Sequence, residues 1–433
     1  MSTSTPRTAP GTGPTPLLVL DVVGLTPRPL DHMPHLKRLA QSGSRAALGT
    51  VLPAVTCAAQ STFLTGAHPS EHGIVGNGWY FRELGDVLLW ALEVVVEVRE
   101  VAQGQIRVPG PDDVAGRVDD PLAGDEVGAG SPEVEEGEGA ELVGEFVVEG
   151  WGPGVAVGFL AAVGVVDRAG GDGEVGVFGP DDPRSLRAAA DLDTALTPLL
   201  DDARAEGRTV VALSEYGITR VSRPVDINRA LRRAGLLEVH TQDGMEYLDP
   251  MTSRAFAVAD HQIAHIYVRH PEDLDATRAA LDGLPGLGQL LDDEGKKAHH
   301  LDHPRSGELV AVAEPDAWFT YYYWLDDTRA PDFARLVEIH RKPGYDPVEL
   351  FMDPLDPYVK VKTATALARK KLGMRYRMAV VPLDPSPIRG SHGRLPASDD
   401  DDPLLICSTP RAVGDRLAAT DVKSLLLRLA GLT

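Results

Sequence analysis

An apolar run that ends in an acid constrains this chain more than any other feature. Leu17, Leu18, Val19 and Leu20 lead straight into Asp21. This is how an α/β sheet delivers a carboxylate to the carboxyl edge of its strands, where ligands bind in open parallel sheets. Asp21 is therefore a candidate metal ligand.

A hydroxyl follows at a matching place. Thr56 comes after Pro53, Ala54 and Val55 and before the small, helix-compatible run Cys57, Ala58, Ala59, Gln60. That order predicts a hydroxyl at or just before the first turn of a helix, where free N–H groups and the positive dipole end favour an oxyanion or phosphate. A hydroxyl becomes a strong nucleophile when a divalent metal lowers its pKa. Taken singly, Thr56 also reads as an N-cap and Asp21 as the polar end of a strand.

The segments LDVVGLTP, LPAVTCAAQSTFLTG and HPSEHGIVGNGWY stand in this order between Leu20 and Tyr80. Together they resemble the alkaline phosphatase superfamily, specifically its nucleotide pyrophosphatase/phosphodiesterase branch. The resemblance implies Asp21 as metal ligand, Thr56 as nucleophile, and Asn77, after the HGI element, as the contact to the transferred phosphoryl oxygens. It also implies a three-layer α/β/α fold with a largely parallel central sheet and a smaller cap subdomain. A sulfatase is disfavoured, because no Cys/Ser-x-Pro-x-Arg motif stands at Thr56.

A chain of 433 residues is long enough for one large α/β domain or two smaller ones. The formal net charge of −22 argues against a nucleic-acid backbone or an anionic membrane as resting partner, since both call for a basic surface. The partner expected is a small phosphate ester or nucleotide. Cys57 and Cys407 lie far apart and form neither a disulfide framework nor a Cys-based metal signature. The first 16 residues, rich in Ser, Thr, Pro and Gly, read as a disordered lead-in without an apolar core of a signal peptide. The expected compartment is the cytoplasm.

Residues 17–90 form the first part of the expected catalytic domain and 179–433 the remainder, with cap elements around 240–350. Between them the composition breaks. From 91 to 178 there is no Lys, His, Asn, Thr, Tyr, Met or Cys, and 12 Glu plus 7 Asp face 4 Arg, so this stretch holds −15 of the total charge. Its glycines weaken helix and strand alike. One origin is an acidic, Gly-rich insertion; the other, favoured by the composition, is a shifted reading frame across these residues. In the resembled family the segment before the Gly179-Pro180 turn supplies an Asp, often with a His, to the second metal. Here only Asp172 and Glu174 are at hand, which leaves a standard second site in doubt.

The ordinary pattern then resumes. Asp181 or Asp182 caps a helix opened by Pro183 and stopped at Gly207, and a buried strand, 209–213, runs into Ser214, Glu215, Tyr216 and Gly217. The family usually reads S-D-H-G here, so Glu215 takes the place of a ligand Asp and Tyr216 that of a ligand His. A phenol is more often a hydrogen-bonding aromatic than a ligand. Asp260 and His261 form a second candidate pair for metal or phosphate. His392, in GSHG before the apolar strand 404–407, resembles the family's late metal-binding His. The run 318–324 reads as a strand packed on both faces, and His340 beside Arg341 and Lys342 as a surface loop.

The chemistry implied is in-line displacement at phosphorus by Thr56, with two divalent metals, zinc by resemblance and manganese admitted by the carboxylate and imidazole ligands, and with Asn77 and the N–H near Cys57 on the phosphoryl oxygens. Two other classes compete: an inactive relative that binds a nucleotide or phosphate, and a non-enzymatic protein whose acidic middle recruits basic partners.

Overall fold

The structure, a computed structural model, describes residues 16–89 and 174–432 together with the backbone of 145–149 and 156–162. Asp172 lies outside the described residues. Glu174 opens a short helix, Glu174–Phe178, and only its backbone is described.

A seven-stranded sheet forms the middle of the molecule, in the order Arg416–Leu417, Ser44–Leu48, Leu404–Cys407, Thr209–Leu213, Leu17–Val22, Ala156–Ala162, Glu145–Glu149. Leu404–Cys407 and Glu145–Glu149 run against their neighbours, while the other five strands share one direction. The sheet is therefore mixed, with its parallel strands at the centre.

Successive residues of a strand point to opposite faces, and a helix layer covers each face. Leu17 and Val19 pack with Val211, Leu213, Leu405, and with Ala58, Phe63, Val422 and Leu426 of the helices Thr56–Thr65 and Val422–Ala430. Leu18 and Leu20 pack the other way, with Leu36 of Pro34–Ser42 and Leu192, Leu196 and Leu200 of Pro183–Ala205. The two helices of this second layer are joined through Asp193, fully buried, which accepts from His35 N–H at 2.8 Å and Leu36 N–H at 2.9 Å and so caps the first turn of Pro34–Ser42. Asp182 is the N-cap of the long helix, accepting from the Arg184 N–H.

A second, antiparallel sheet is built from Ala255–Asp260, Ile263–Val268, Leu309–Ala313 and Leu287–Leu291. It shares one apolar core with Leu52, Cys57, Val75 and Trp79. This shared core fixes the second sheet against the loop that carries Thr56.

Two local expectations change. The run 318–324 leaves the strand after Phe319; Ala317–Phe319 pairs with Arg223–Val225, and Tyr321, Tyr322, Tyr323 and Trp324 are buried without a ladder. Aromatic rings filling a core from an irregular segment satisfy burial as well as a two-sided strand does. Nor is the loop after His340 wholly at the surface: Lys342 is fully buried, 2.8 Å from Asp346 and 2.5 Å from Glu349, because two carboxylates satisfy the ammonium there. No helix among the described residues is long and apolar enough to cross a membrane.

Candidate active site

The sheet's register puts two carboxylates at one edge. Asp21 pairs with Leu213 in the parallel neighbour, so Glu215, two residues further on, emerges beside it. Both are buried, and Glu215 is fully so. Burial is the main cause that raises Asp21 to about 6, the neighbouring Glu215 carboxyl and the hydrogen bond from Gln60 pulling the other way. Burial also raises Glu215, with the charge of Asp21 as the next cause.

Thr56 opens the helix Thr56–Thr65, behind an extended Val55. Its Oγ1 donates to Glu215 Oε2 at 3.1 Å and lies 2.9 Å from the Tyr216 phenol oxygen. Gln60, one helical turn on, donates to Asp21 Oδ2 at 3.2 Å. One oxygen of each acid is thus engaged. The other two, Asp21 Oδ1 and Glu215 Oε1, are buried without a partner among the described residues. Two buried acids, each keeping one oxygen free beside a hydroxyl, are a donor set suited to a hard or borderline divalent cation.

Asn77 meets the same helix end from the other side. Its Oδ1 accepts from the Cys57 N–H at 3.1 Å, and its own N–H and Nδ2 donate to Asp260 Oδ2 at 2.8 Å and Oδ1 at 3.2 Å. The two groups expected to hold phosphoryl oxygens are therefore bonded to each other. Asp260, read as a metal or phosphate contact, instead has both oxygens on Asn77 and orients it. Burial raises Asp260 to about 6, with the Asn77 bonds opposing.

The remaining candidates form a column of rings. Tyr216 stacks on His392 at 3.8 Å, His392 meets His261 at 3.8 Å, and His261 meets Tyr345 at 4.1 Å. His392 is held by its Nδ1 against Ala54 O at 2.9 Å, and burial pushes its pKa down to about 4. His261 sits in the two-residue turn between Asp260 and Ile263 with φ of 60°, a conformation that costs a branched-ring residue and favours glycine. Its Nδ1 is buried with no partner among the described residues. The adjacent, fully buried Gln262 ties this turn to the rest: its N–H donates to His392 O at 2.8 Å and its Nε2 to Ala317 O at 3.0 Å.

All eight candidates thus meet in one region, Asp21, Thr56, Glu215 and Tyr216 on one side, His261 and His392 behind Tyr216, Asn77 and Asp260 at the helix end. Among the described residues no group of three or more His, Cys, Asp or Glu converges as a metal cluster. Gln60, Gln262, Tyr345 and Arg394 were not singled out by sequence. Arg394, two residues past His392, has Nε and Nη1 buried without a partner among the described residues, and burial lowers its pKa. The GSHGR run itself was the only sequence signal available for it. The histidines at 68, 72, 300 and 303 belong elsewhere: His68 stacks on His300 at 4.0 Å, and His72 bonds Thr62 at 3.1 Å.

No curated protein matches the chain by sequence. Among solved structures, murine ectonucleotide pyrophosphatase/phosphodiesterase 5 is similar with a TM-score of 0.54 at 15% identity, covering 96% of this chain and 95% of the other, and the same figures hold for its inactive variant in complex with AMP. Phosphonoacetate hydrolase from Sinorhizobium meliloti, in complex with phosphonoformate, is similar with a TM-score of 0.53 at 15% identity over 96% of each chain. At such identities the likeness is one of fold alone. The model of the family "type I phosphodiesterase / nucleotide pyrophosphatase" matches residues 17–101 and 169–346 and leaves out 102–168, inside the acidic stretch. Since that match spans more than half of the chain, the protein belongs to the type I phosphodiesterase/nucleotide pyrophosphatase family of phosphoric ester hydrolases.

Proposed function

We propose that this chain hydrolyses small phosphodiesters, nucleotide derivatives among them, by nucleophilic attack of Thr56. The observation that carries the reading is the place of Thr56 Oγ1, at the first turn of a helix, 3.1 Å from Glu215 Oε2 and 2.9 Å from the Tyr216 phenol. The substrate class rests on the family and on the AMP complex of the murine relative.

Asp21 Oδ1, Glu215 Oε1 and the Thr56 hydroxyl are the atoms that would hold a divalent cation, zinc or manganese, with the Tyr216 phenol where the family usually has an imidazole. Such a cation supplies the positive charge that lowers the pKa of a bound hydroxyl. His392 and His261 are the residues available to a second one. Glu215 Oε2 accepts the Thr56 proton while Oγ1 bonds to phosphorus and the bond to the leaving oxygen breaks. Gln60 keeps Asp21 oriented. Asn77 Nδ2 has a second hydrogen beyond the one given to Asp260, and this is the donor for a non-bridging oxygen. Water then cleaves the threonine ester. Arg394 meets a further anionic group of the substrate.

The test is hydrolysis of a chromogenic phosphodiester with zinc or manganese added. Turnover that stops on chelation and in Thr56→Ala is the expected result; parental turnover by Thr56→Ala overturns the assignment. A second reading, a relative that binds a nucleotide without turning it over, is favoured by one observation, the Cys57 N–H and Asn77 Oδ1 closed on each other at 3.1 Å. Calorimetric binding of AMP with no turnover under any metal would select it.

A further inference from the structure

The chain's acidity is not uniform over its surface. Between Asp356 and Asp384 the sequence holds seven cations, Lys360, Lys362, Arg369, Lys370, Lys371, Arg375 and Arg377, and no Asp or Glu. Lys362 pairs with Asp356 at 2.5 Å and Arg377 with Asp332 at 3.4 Å; for the other five no ion pair is found among the described residues. Most of this run is the helix Val359–Lys371.

That helix touches the body through a narrow stripe. Only Ala366 is buried, and Val359 and Thr363 are half-buried. Residues three, four and seven apart share a helix face, so the face opposite this stripe is Val361, Ala364, Ala368 and, just past the end, Leu372, together with Thr365, whose hydroxyl is turned back onto Val361 O at 2.7 Å. It is apolar and points outward. Lys360 and Lys371 flank it on one side, Lys362 and Arg369 on the other. Val361 is 63% exposed and Leu372 73%, and beside them Leu355 is 87% and Tyr358 67% exposed. Apolar side chains standing proud of the surface between two rows of cations do not form a groove that would receive a partner helix.

We propose that this helix and its flanks form a docking surface for an anionic lipid bilayer, the apolar face entering the headgroup boundary and the cations meeting lipid phosphates. The charge complementarity and the geometry both fit an interfacial helix, with apolar residues on the outer face, Lys and Arg at its margins, and a tyrosine beside it. A total charge of −22 argues against membranes where acid and base are evenly mixed; here seven cations stand between Asp356 and Asp384 without an intervening acid, and only two of them pair with acids from outside that run. Among the described residues no hydrogen bond or ion pair links this surface to Thr56 or Glu215, and this inference does not depend on the proposed activity.

The test is co-sedimentation of the full chain with vesicles of phosphatidylcholine alone or with about one third phosphatidylglycerol, at low and high salt. The expected result is partition into the anionic vesicles only, weakened by salt. Lys360→Glu/Lys371→Glu should lower it by about tenfold or more. Val361→Ser/Leu372→Ser should lower it comparably, while leaving the circular dichroism spectrum and phosphodiester turnover unchanged, since both positions are exposed. Equal partition into neutral vesicles, or no binding to anionic ones at low salt, overturns the proposal. So does a concentration-dependent dimer that Val361→Ser/Leu372→Ser abolishes, which would make the face a contact between copies. Charge reversal that abolishes binding while the serine variant binds like the parent would leave only a basic patch, open to nucleic acid, and would overturn it too.

Discussion

The two sides of the candidate site are built on opposite principles. On one side Asp21 and Glu215 bury two acids together, each with an oxygen left unpartnered among the described residues and a pKa raised by burial. On the other, His392 and His261 are stacked between Tyr216 and Tyr345, and burial lowers both. The first side favours a cation, because a positive charge removes the cost of two adjacent buried acids. The second is stable as a neutral ring stack without one. On the proposed reading a cation belongs first to the acid side, and elemental analysis should find one tightly held equivalent in the parent and none in Glu215→Ala. The fall of Tyr216 where the family usually has His explains part of the difference: its ring completes the stack while its hydroxyl reaches Thr56.

The sharpest way to break the comparison is at its hydroxyl. Thr56→Ala removes the proposed nucleophile and should lower kcat by about 10³-fold or more with the fold unchanged. A smaller loss would mean that the reacting atom is elsewhere. Glu215→Ala takes away both the proposed proton acceptor and an unpartnered oxygen, and a fall of about 10²-fold in kcat is expected. The same variant should lose the stabilisation that zinc or manganese gives the parent, about 2.7 kcal/mol at a hundredfold excess over Kd, read as a shift in Tm. His392→Ala should keep most of that shift. If His392→Ala loses it as fully as Glu215→Ala, the two sides share one ion and the distinction fails.

The acid side was legible in sequence because its signals are local. An apolar run that stops at an acid names both the strand and the residue at its end, and this holds for Leu17 to Asp21 and for Thr209 to Glu215. The same is true of Thr56, whose small successors announce a helix. What could not be read depends on partners remote in sequence. Asp260 orients Asn77 from 183 residues away, and a hydrogen bond at that separation leaves no periodicity in either segment. Gln262 reads as a polar turn residue until His392 O and Ala317 O are brought to it. The aromatic run after Phe319 has the composition of a strand, but its burial is met by irregular packing, since composition reports burial and not the ladder. The buried Lys342 reads as a surface cation until Asp346 and Glu349 close on it.

The two sides should also respond to pH with opposite sign, in protein kept free of metal by chelation. Asp21 is raised to about 6 when folded against 3.8 as reference, so the folded state holds more protons than the unfolded one in that window and stability falls as pH rises through it. His392 is lowered to about 4 against 6.5, so the unfolded state holds more protons and stability rises over nearly the same range. Each term is on the order of 3 kcal/mol, and in the parent they offset one another. Urea unfolding between pH 4 and pH 7 should therefore show a slope against pH that is more positive than the parent's in Asp21→Asn and more negative than the parent's in His392→Asn. Parallel curves for both variants would remove the contrast.

Arg394 gives the smallest effect and the finest test, because it stands just past the histidine side yet carries a charge of the opposite kind to the acids. Its Nε and Nη1 are buried with no acceptor among the described residues, and burial alone lowers its pKa. A guanidinium in that state is destabilising to the free protein and is relieved when an anionic group arrives, so its contribution appears on substrate binding. Arg394→Ala should raise KM by about tenfold with kcat nearly unchanged, the pattern of an interaction equal in ground and transition states. Tm should hold or rise slightly, since an unsatisfied group has been removed. Arg394→Lys should recover little, as a single ammonium does not reproduce the planar fork. A lower Tm with KM unchanged would make Arg394 a packing residue. A fall in kcat with KM unchanged would move it to the leaving group, and the histidine side would then take part in bond breaking and not only in binding.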